Sequence, residues 1–258
     1  MNDTILHVNE ATMRFGGVTA VNRLDMRIPE GSIVGLIGPN GAGKTTAFNI
    51  ISGFYTPTEG DILFQGKSII DLAPHEVCKA GIARTFQNIR LFGPASALDN
   101  VMVGGHVRQK NQWWMPPFFL HLAEEKQMRK DFMELLERMG LADVAHLPAS
   151  SLPYGAQRRL EIARALATKP AFLLLDEPAA GMNPQESSVL MDLIRSIRSD
   201  FGLTILLIEH DMKVVMGVCS HIWVLDYGQC IAEGTPDQIR NNTKVIEAYL
   251  GEEYLNYA

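Results

Sequence analysis

Residues 33–45 read Ile33-Val34-Gly35-Leu36-Ile37-Gly38-Pro39-Asn40-Gly41-Ala42-Gly43-Lys44-Thr45. Ile33 to Ile37 is a short apolar run of the kind that forms a buried strand. Gly38 to Gly43 is a glycine-rich turn, and helical spacing follows through Ile51. Gly38, Gly43, Lys44 and Thr45 match GxxxxGK[ST]. Glycines let the backbone curl so that successive N–H groups, including those around Asn40 and Gly41, point at phosphate oxygens. Lys44 adds a cation between the β- and γ-phosphates of a nucleoside triphosphate. Thr45 offers a hydroxyl to Mg²⁺, and Thr46 continues the first helical turn, whose dipole is positive at that end. Strand, glycine turn and helix together predict an α/β core that binds the phosphates of a nucleotide at a strand end.

Further along, Phe172-Leu-Leu-Leu-Asp176-Glu177 is an apolar strand that ends in two carboxylates. In an open parallel sheet, ligands bind at the carboxyl ends of the strands. Asp176 is therefore a candidate to hold Mg²⁺, and Glu177 to orient and polarise the attacking water. A strand-end acidic pair alone is usually solvated surface; beside a phosphate loop the catalytic reading takes over.

Bulk properties limit the alternatives. The chain has 258 residues, 47% hydrophobic and 20% charged, enough for one large domain or a domain with a subdomain. Acids outnumber bases 29 to 23, for a net charge of -6, so nucleic acid is not the expected partner. Cys78, Cys219 and Cys230 are odd in number and form no CxxC pair, which argues against a disulfide framework or zinc site. The opening MNDTILHVNE has no basic n-region followed by an apolar stretch, and no run reaches the roughly 18 apolar residues of a membrane span.

Further strands are expected at 61–64, 82–85 and 204–208, with a late hairpin of 221–225 and 229–233 around Tyr227-Gly228. From about Ala97 to Thr168 the pattern is mostly helical; Glu124 to Met139 has helical spacing and Gly140 is a plausible stop. This gives three segments: 1–96, the first part of the ATP-binding core; 97–168, an inserted helical subdomain; and 169–258, the second part of the core. Within the insert, residues 113–119 read WWMPPFF, where two prolines exclude a regular helix. Gly104-Gly105 carries no readable signal.

Phosphate loops serve kinases, GTPases and many ATPases, so these two motifs name no family. Five others do. Arg84-Thr-Phe-Gln87 resembles the Q-loop of ABC ATPases. Leu152-Pro-Tyr-Gly-Ala-Gln157-Arg-Arg-Leu-Glu-Ile-Ala-Arg-Ala-Leu resembles the ABC signature segment and its helix. Asp176-Glu-Pro178 running into Ala179-Ala-Gly-Met-Asn183 resembles the D-loop, and Ile208-Glu-His210-Asp211 the switch histidine. Phe15 stands where an adenine-stacking aromatic is expected, with Val21 to flank the base. Order and spacing agree from Ile5 to about Pro236. RFGG, RTFQN, RRLEIAR, LDEPAAG, LLIEHDM and AYLG are further similar to the branched-chain amino-acid uptake ATPases of bacteria, the longer of their two ATPase subunits.

The resemblance implies an α/β phosphate-loop NTPase core of ABC type, with antiparallel β elements and the inserted helical subdomain. It implies that Gln87 senses Mg²⁺ and the water near the γ-phosphate, that His210 contacts that phosphate, and that Tyr154 and Gly155 offer helix-start amides to the nucleotide of a partner ATPase. The implied setting is the cytoplasmic face of the inner membrane, on integral permease subunits, with a periplasmic or extracellular solute-binding protein acting indirectly. A soluble ABC ATPase of translation or DNA repair would normally carry two cassettes or a long coiled coil, and a phosphate-loop kinase would not explain the signature helix.

Two departures stand out. The usual LSGGQ reads Leu152-Pro-Tyr-Gly-Ala156, so Pro153 replaces a serine hydroxyl donor and also lacks an N–H. A charge-assisted hydrogen bond to phosphate is worth about 1.5–3 kcal/mol, so a heterodimer with an ATPase of ordinary signature is expected over a homodimer. Asn183 stands where the D-loop normally has Asp; before Pro184 it reads as a helix N-cap.

Overall fold

The computed structural model describes residues 4–108 and 120–255; the WWMPPFF stretch lies outside them. In chain order the elements are β1 (Thr4–Phe15), β2 (Val18–Pro29), β3 (Ile33–Ile37), α1 (Lys44–Ile51), β4 (Glu59–Phe64), β5 (Lys67–Ser68), α2 (Pro74–Ala80) and β6 (Ile82–Arg84). Three long helices follow: α3 (Ala97–Gly105), α4 (Leu120–Arg138) and α5 (Tyr154–Leu166). The chain then returns through β7 (Phe172–Asp176), α6 (Pro184–Phe201), β8 (Thr204–Ile208), α7 (Met212–Val218), β9 (His221–Asp226), β10 (Gln229–Gly234), α8 (Pro236–Arg240) and α9 (Thr243–Leu255). No helix among the described residues is long and apolar enough to cross a membrane.

Two sheets organise these elements. One is antiparallel, in the order β2-β1-β4-β5; the other has the order β10-β9-β3-β8-β7-β6 and is parallel except for β10. The larger sheet is buried on both faces, which is why its strands read as unbroken apolar runs. Val34, Leu36, Phe172, Leu174, Leu206 and Ile208 pack toward α1 and the antiparallel sheet. The alternate residues Ile33, Ile37, Leu173, Leu175, Ile205 and Leu207 pack toward the helices on the other side. The period of two thus divides one apolar run between two cores.

All the expected strands form, within two residues of the expected ends. The β1–β2 hairpin supplies the expected antiparallel elements, at positions that the apolar pattern does not mark. Its alternation is interrupted by register shifts between Val8 and Ala11 and between Ala11 and Met13, with Glu10 at φ 47°. Bulges of this kind turn successive side chains out of phase and hide the strand pattern.

The helices between β6 and β7 pack closely through Gly104 and Gly105. A Cβ on Gly104 would collide with the carbonyl oxygen of Arg164 in α5, and one on Gly105 with the ring of Phe132 in α4. The glycine pair that carries no signal in the sequence is therefore the point where α3 touches both neighbours. Ser96 caps α3 by accepting from the Asp99 N–H, and Gly140, at φ 64°, follows α4 and donates to the Glu137 carbonyl.

Candidate functional site

The parallel register brings four loops to one edge. Leu36 on β3 is level with Ile208 on β8, and Ile208 is level with Asp176 on β7. The phosphate loop, Glu177, His210 and Gln87 therefore all follow carboxyl ends of neighbouring strands. The loop is held open by its own glycines: Gly38, Gly41 and Gly43 have φ of 151°, 76° and 101°. A Cβ on Gly38 would collide with the Leu225 carbonyl and one on Gly43 with that of Ala20. The loop is thus pressed between β2 and the β9–β10 turn, and Gly228 N–H donates to Ala42 O at 3.0 Å. Lys44 Nζ folds back to donate to the Gly38 and Pro39 carbonyls at 2.6 and 2.7 Å. Asn40, Gly41 and Thr45 are exposed, and Thr46 is half-buried at the start of α1.

The carboxylates divide as their surroundings dictate. Asp176 is buried and ion-paired with Arg84, Nη2 to Oδ2 at 2.8 Å. The other Arg84 nitrogen, Nη1, donates to Asn49 Oδ1 at 2.6 Å and Ser52 Oγ at 3.0 Å, both at the end of α1. Arg84 thereby joins the strand before the Q-loop to the acidic strand end and to the phosphate-loop helix. Glu177 turns away from the core in the left-handed region, φ 45°, with its N–H on the Ile208 carbonyl at 2.9 Å. A non-glycine residue in that region is strained by about 1–3 kcal/mol. Its Oε2 accepts from Gln87 Nε2 at 2.9 Å and lies 3.6 Å from His210 Nδ1. Gln87, Glu177 and His210 thus meet at one carboxylate oxygen.

Glu209, beside His210, is buried and was not singled out by sequence. Its oxygens accept from Ala179 N–H at 2.6 Å and His210 N–H at 3.2 Å. Burial raises its pKa, and these amides together with His210 pull it back. It ties the strand end that carries His210 to the segment that follows Glu177.

The signature segment starts α5. Pro153 is the N-cap, φ −56°, and its carbonyl accepts from Ala156 and Gln157 N–H at 2.9 and 3.0 Å. Tyr154 and Gly155 occupy the first helical turn, whose amides a helix leaves without internal acceptors. The Tyr154 hydroxyl donates to the Ala180 carbonyl at 2.9 Å. Asn183 caps α6, its Oδ1 accepting from Gln185 and Glu186 N–H at 3.0 Å each, so its capping role is seen directly.

Two residues grouped near the base behave differently. Phe15 ends β1, is 44% exposed, and meets the ring of Tyr55 edge-on at 5.3 Å. Val21 is fully buried, packed toward Gly43 in the core below the loop.

This site suits ATP and a hard cation. The loop is a cradle that a Cβ at Gly38 or Gly43 would fill. The Thr45 hydroxyl, Asp176 carboxylate and Gln87 amide each carry an oxygen of the type that Mg²⁺ takes.

Comparison with known proteins agrees with this geometry. The ABC transporter family matches residues 21–180, and the branched-chain amino acid ATP-binding cassette transporter family matches 229–254. The high-affinity branched-chain amino acid transport ATP-binding protein BraF of Pseudomonas aeruginosa is 47% identical over 255 residues, covering 98% of this chain and 100% of its own. LivG of Escherichia coli K12, of the same description, is 46% identical over 259 residues with the same coverage. Among solved structures, the ADP conformation of MJ1267, an ATP-binding cassette of an ABC transporter, aligns with TM-score 0.85 and 29% identity over 96% of this chain and 99% of its own. The dimeric ABC transporter cassette MJ0796 aligns at TM-score 0.76 and 27% identity, over 90% of this chain and 98% of its own. With its phosphate loop, strand-end carboxylates and signature helix in one ordered series, this chain belongs to the ABC transporter ATP-binding proteins, the ATP-hydrolysing subunits of those transporters.

Proposed function

We propose that this chain powers uptake of branched-chain amino acids from the cytoplasmic face of the inner membrane, as one of two different ATPase subunits bound to integral permease subunits. A periplasmic or extracellular solute-binding protein would deliver the solute. The convergence of Gln87, Glu177 and His210 on one carboxylate oxygen, beside the phosphate loop, carries the hydrolytic part of this reading.

In this reading the loop amides from Asn40 to Thr46 and the Lys44 ammonium bind the triphosphate, and Phe15 stacks on the base. Thr45, Asp176 and Gln87 would hold Mg²⁺, which would supply Lewis-acid charge to the phosphoryl oxygens. Glu177 takes the proton of the attacking water, and His210 holds the γ-phosphate side. Tyr154 and Gly155 close over the partner's nucleotide with their amides. The segment 97–168 acts as the helical subdomain that carries this signature. Names of the full-length relatives support the solute class, and the dimeric cassette supports pairing.

Co-expression with candidate permease subunits tests this. Co-purification from detergent, followed by ATP-driven leucine uptake into proteoliposomes, is the expected outcome. A chain that co-purifies with no permease subunit, and whose ATPase is unaffected by any of them, would favour a soluble ATPase.

A further inference from the structure

We infer that Arg158, buried inside the signature helix, is a positioning residue that sets the Q-loop backbone so that Gln87 reaches Glu177. The inference rests on the roles proposed above for Gln87 and Glu177. Arg158 is 0% exposed and Glu161, one turn on, is 1% exposed. Arg158 Nη1 donates to the Phe86 carbonyl at 2.7 Å and to Glu161 Oε2 at 2.9 Å. Nη2 donates to the Gln87 carbonyl at 2.8 Å and to the Tyr154 hydroxyl at 3.1 Å. Glu161 Oε1 accepts from the N–H groups of Phe86 and Arg90, both at 3.3 Å. The pair therefore grips residues 86–90 at four backbone atoms. Those residues have no helix or strand of their own, so the two side chains stand in for secondary structure.

A pair kept only for stability would not need this arrangement. Buried ion pairs are commonly replaced by apolar residues without loss of stability. Here the guanidinium fork spans two successive carbonyls, a geometry that fixes the path of the chain. The side chain of Gln87 is exposed, and its amide meets Glu177 Oε2 at 2.9 Å. Exposed as it is, that side chain takes its direction from the backbone that Arg158 holds. Through the Tyr154 hydroxyl, which continues to the Ala180 carbonyl, the same guanidinium connects the helix start lent to a partner with the carboxylate kept at the chain's own site.

The test is a double-mutant cycle in the full chain, assembled with its permease. Because Arg158→Met alone strands a buried carboxylate, the variant is Arg158→Met with Glu161→Leu, checked for an unchanged or higher Tm. It is expected to lower kcat about tenfold to a hundredfold, the scale of a misplaced catalytic group, with KM for ATP within about twofold. Added to Gln87→Ala, it should lower kcat by less than about twofold further. Arg158→Lys keeps a cation against Glu161 but cannot span both carbonyls, and should give an intermediate loss even if the paired variant fails to fold. Losses that multiply in the cycle, or an Arg158→Lys chain with normal kcat, overturn the inference while leaving the site reading intact. If Gln87→Ala itself leaves kcat unchanged, the site reading fails and takes the inference with it.

Discussion

In the function proposed above, the carboxyl edge of the parallel sheet and the start of α5 both present groups to phosphate, but they are built differently. At the edge, position comes from the sheet: register aligns Leu36, Ile208 and Asp176, and each functional residue leaves its strand already aimed. At α5, the donors are the amides of Tyr154 and Gly155, and their place depends on side chains that anchor the helix from below. Chemistry at the first region depends on the identity of single residues. The second has Pro153 and Ala156 in place of polar side chains and rests on a backbone held from below. Variants should separate the two regions along that line.

The largest effect is expected from Glu177→Gln. The variant keeps its contact with Gln87 through the amide but loses the base, so kcat should fall roughly 10²- to 10⁴-fold with ATP binding retained. ATP should then trap a closed dimer, visible by size. Normal turnover in this variant would remove Glu177 as the base and with it the claim that the edge works through individual side chains.

Lys44→Ala comes next. Lys44 now spends its ammonium on the Gly38 and Pro39 carbonyls, a position from which it can swing to phosphate. Removing a preorganised charge of this kind costs about 10²–10³-fold in turnover. Unchanged transport-coupled ATPase would show that the loop amides suffice.

The same contrast explains what was legible in the sequence. The edge was readable because a buried strand followed by glycine turns or acids is a local pattern, and the parallel register sets those strand ends side by side. Arg84 and Arg158 went unassigned although both sat inside recognised motifs. A charged residue in a helix such as QRRLE usually faces solvent, and only the tertiary fold shows that Arg158 points inward to the Q-loop carbonyls. Glu209 was missed for the same reason.

Glu209 braces the edge from within, since it holds both the His210 strand end and the Ala179 amide of the segment after Glu177. Burial raises its pKa above the ordinary 4.5. The folded chain therefore keeps this proton when the unfolded chain has lost it. The stability that Glu209 contributes is fullest below pH 4.5 and declines as pH rises through its folded value, by at most about 1.4 kcal/mol per pH unit. Glu209→Gln does not titrate. The Tm of the unaltered chain minus that of the variant should fall as pH climbs from 4.5, and a constant difference would show that the carboxyl is ionised in both states.

Pro153→Ser should have the smallest effect, and it tests the lent region directly. Proline already fits the N-cap, φ −56°, and restricts the unfolded chain, a benefit of about 0.4–1 kcal/mol that serine gives up. A serine N-cap returns about 1 kcal/mol by accepting a first-turn N–H, so Tm should barely move. Function is a different matter, because a hydroxyl that accepts from its own helix still has a proton to donate. Facing phosphate, that proton adds one charge-assisted bond to the amides of Tyr154 and Gly155, so the gain sits at the low end of such bonds, about 1.5 kcal/mol or roughly tenfold at most. In the isolated chain, where any dimer sets two proline signatures over two nucleotides, ATPase should rise. In the assembled transporter, the site at Lys44 would be closed by the other subunit's signature, and total turnover should change by less than about twofold. If the isolated chain already forms a fully active ATP-bound homodimer and the serine changes nothing, the backbone amides alone suffice and the case for two different ATPases is lost.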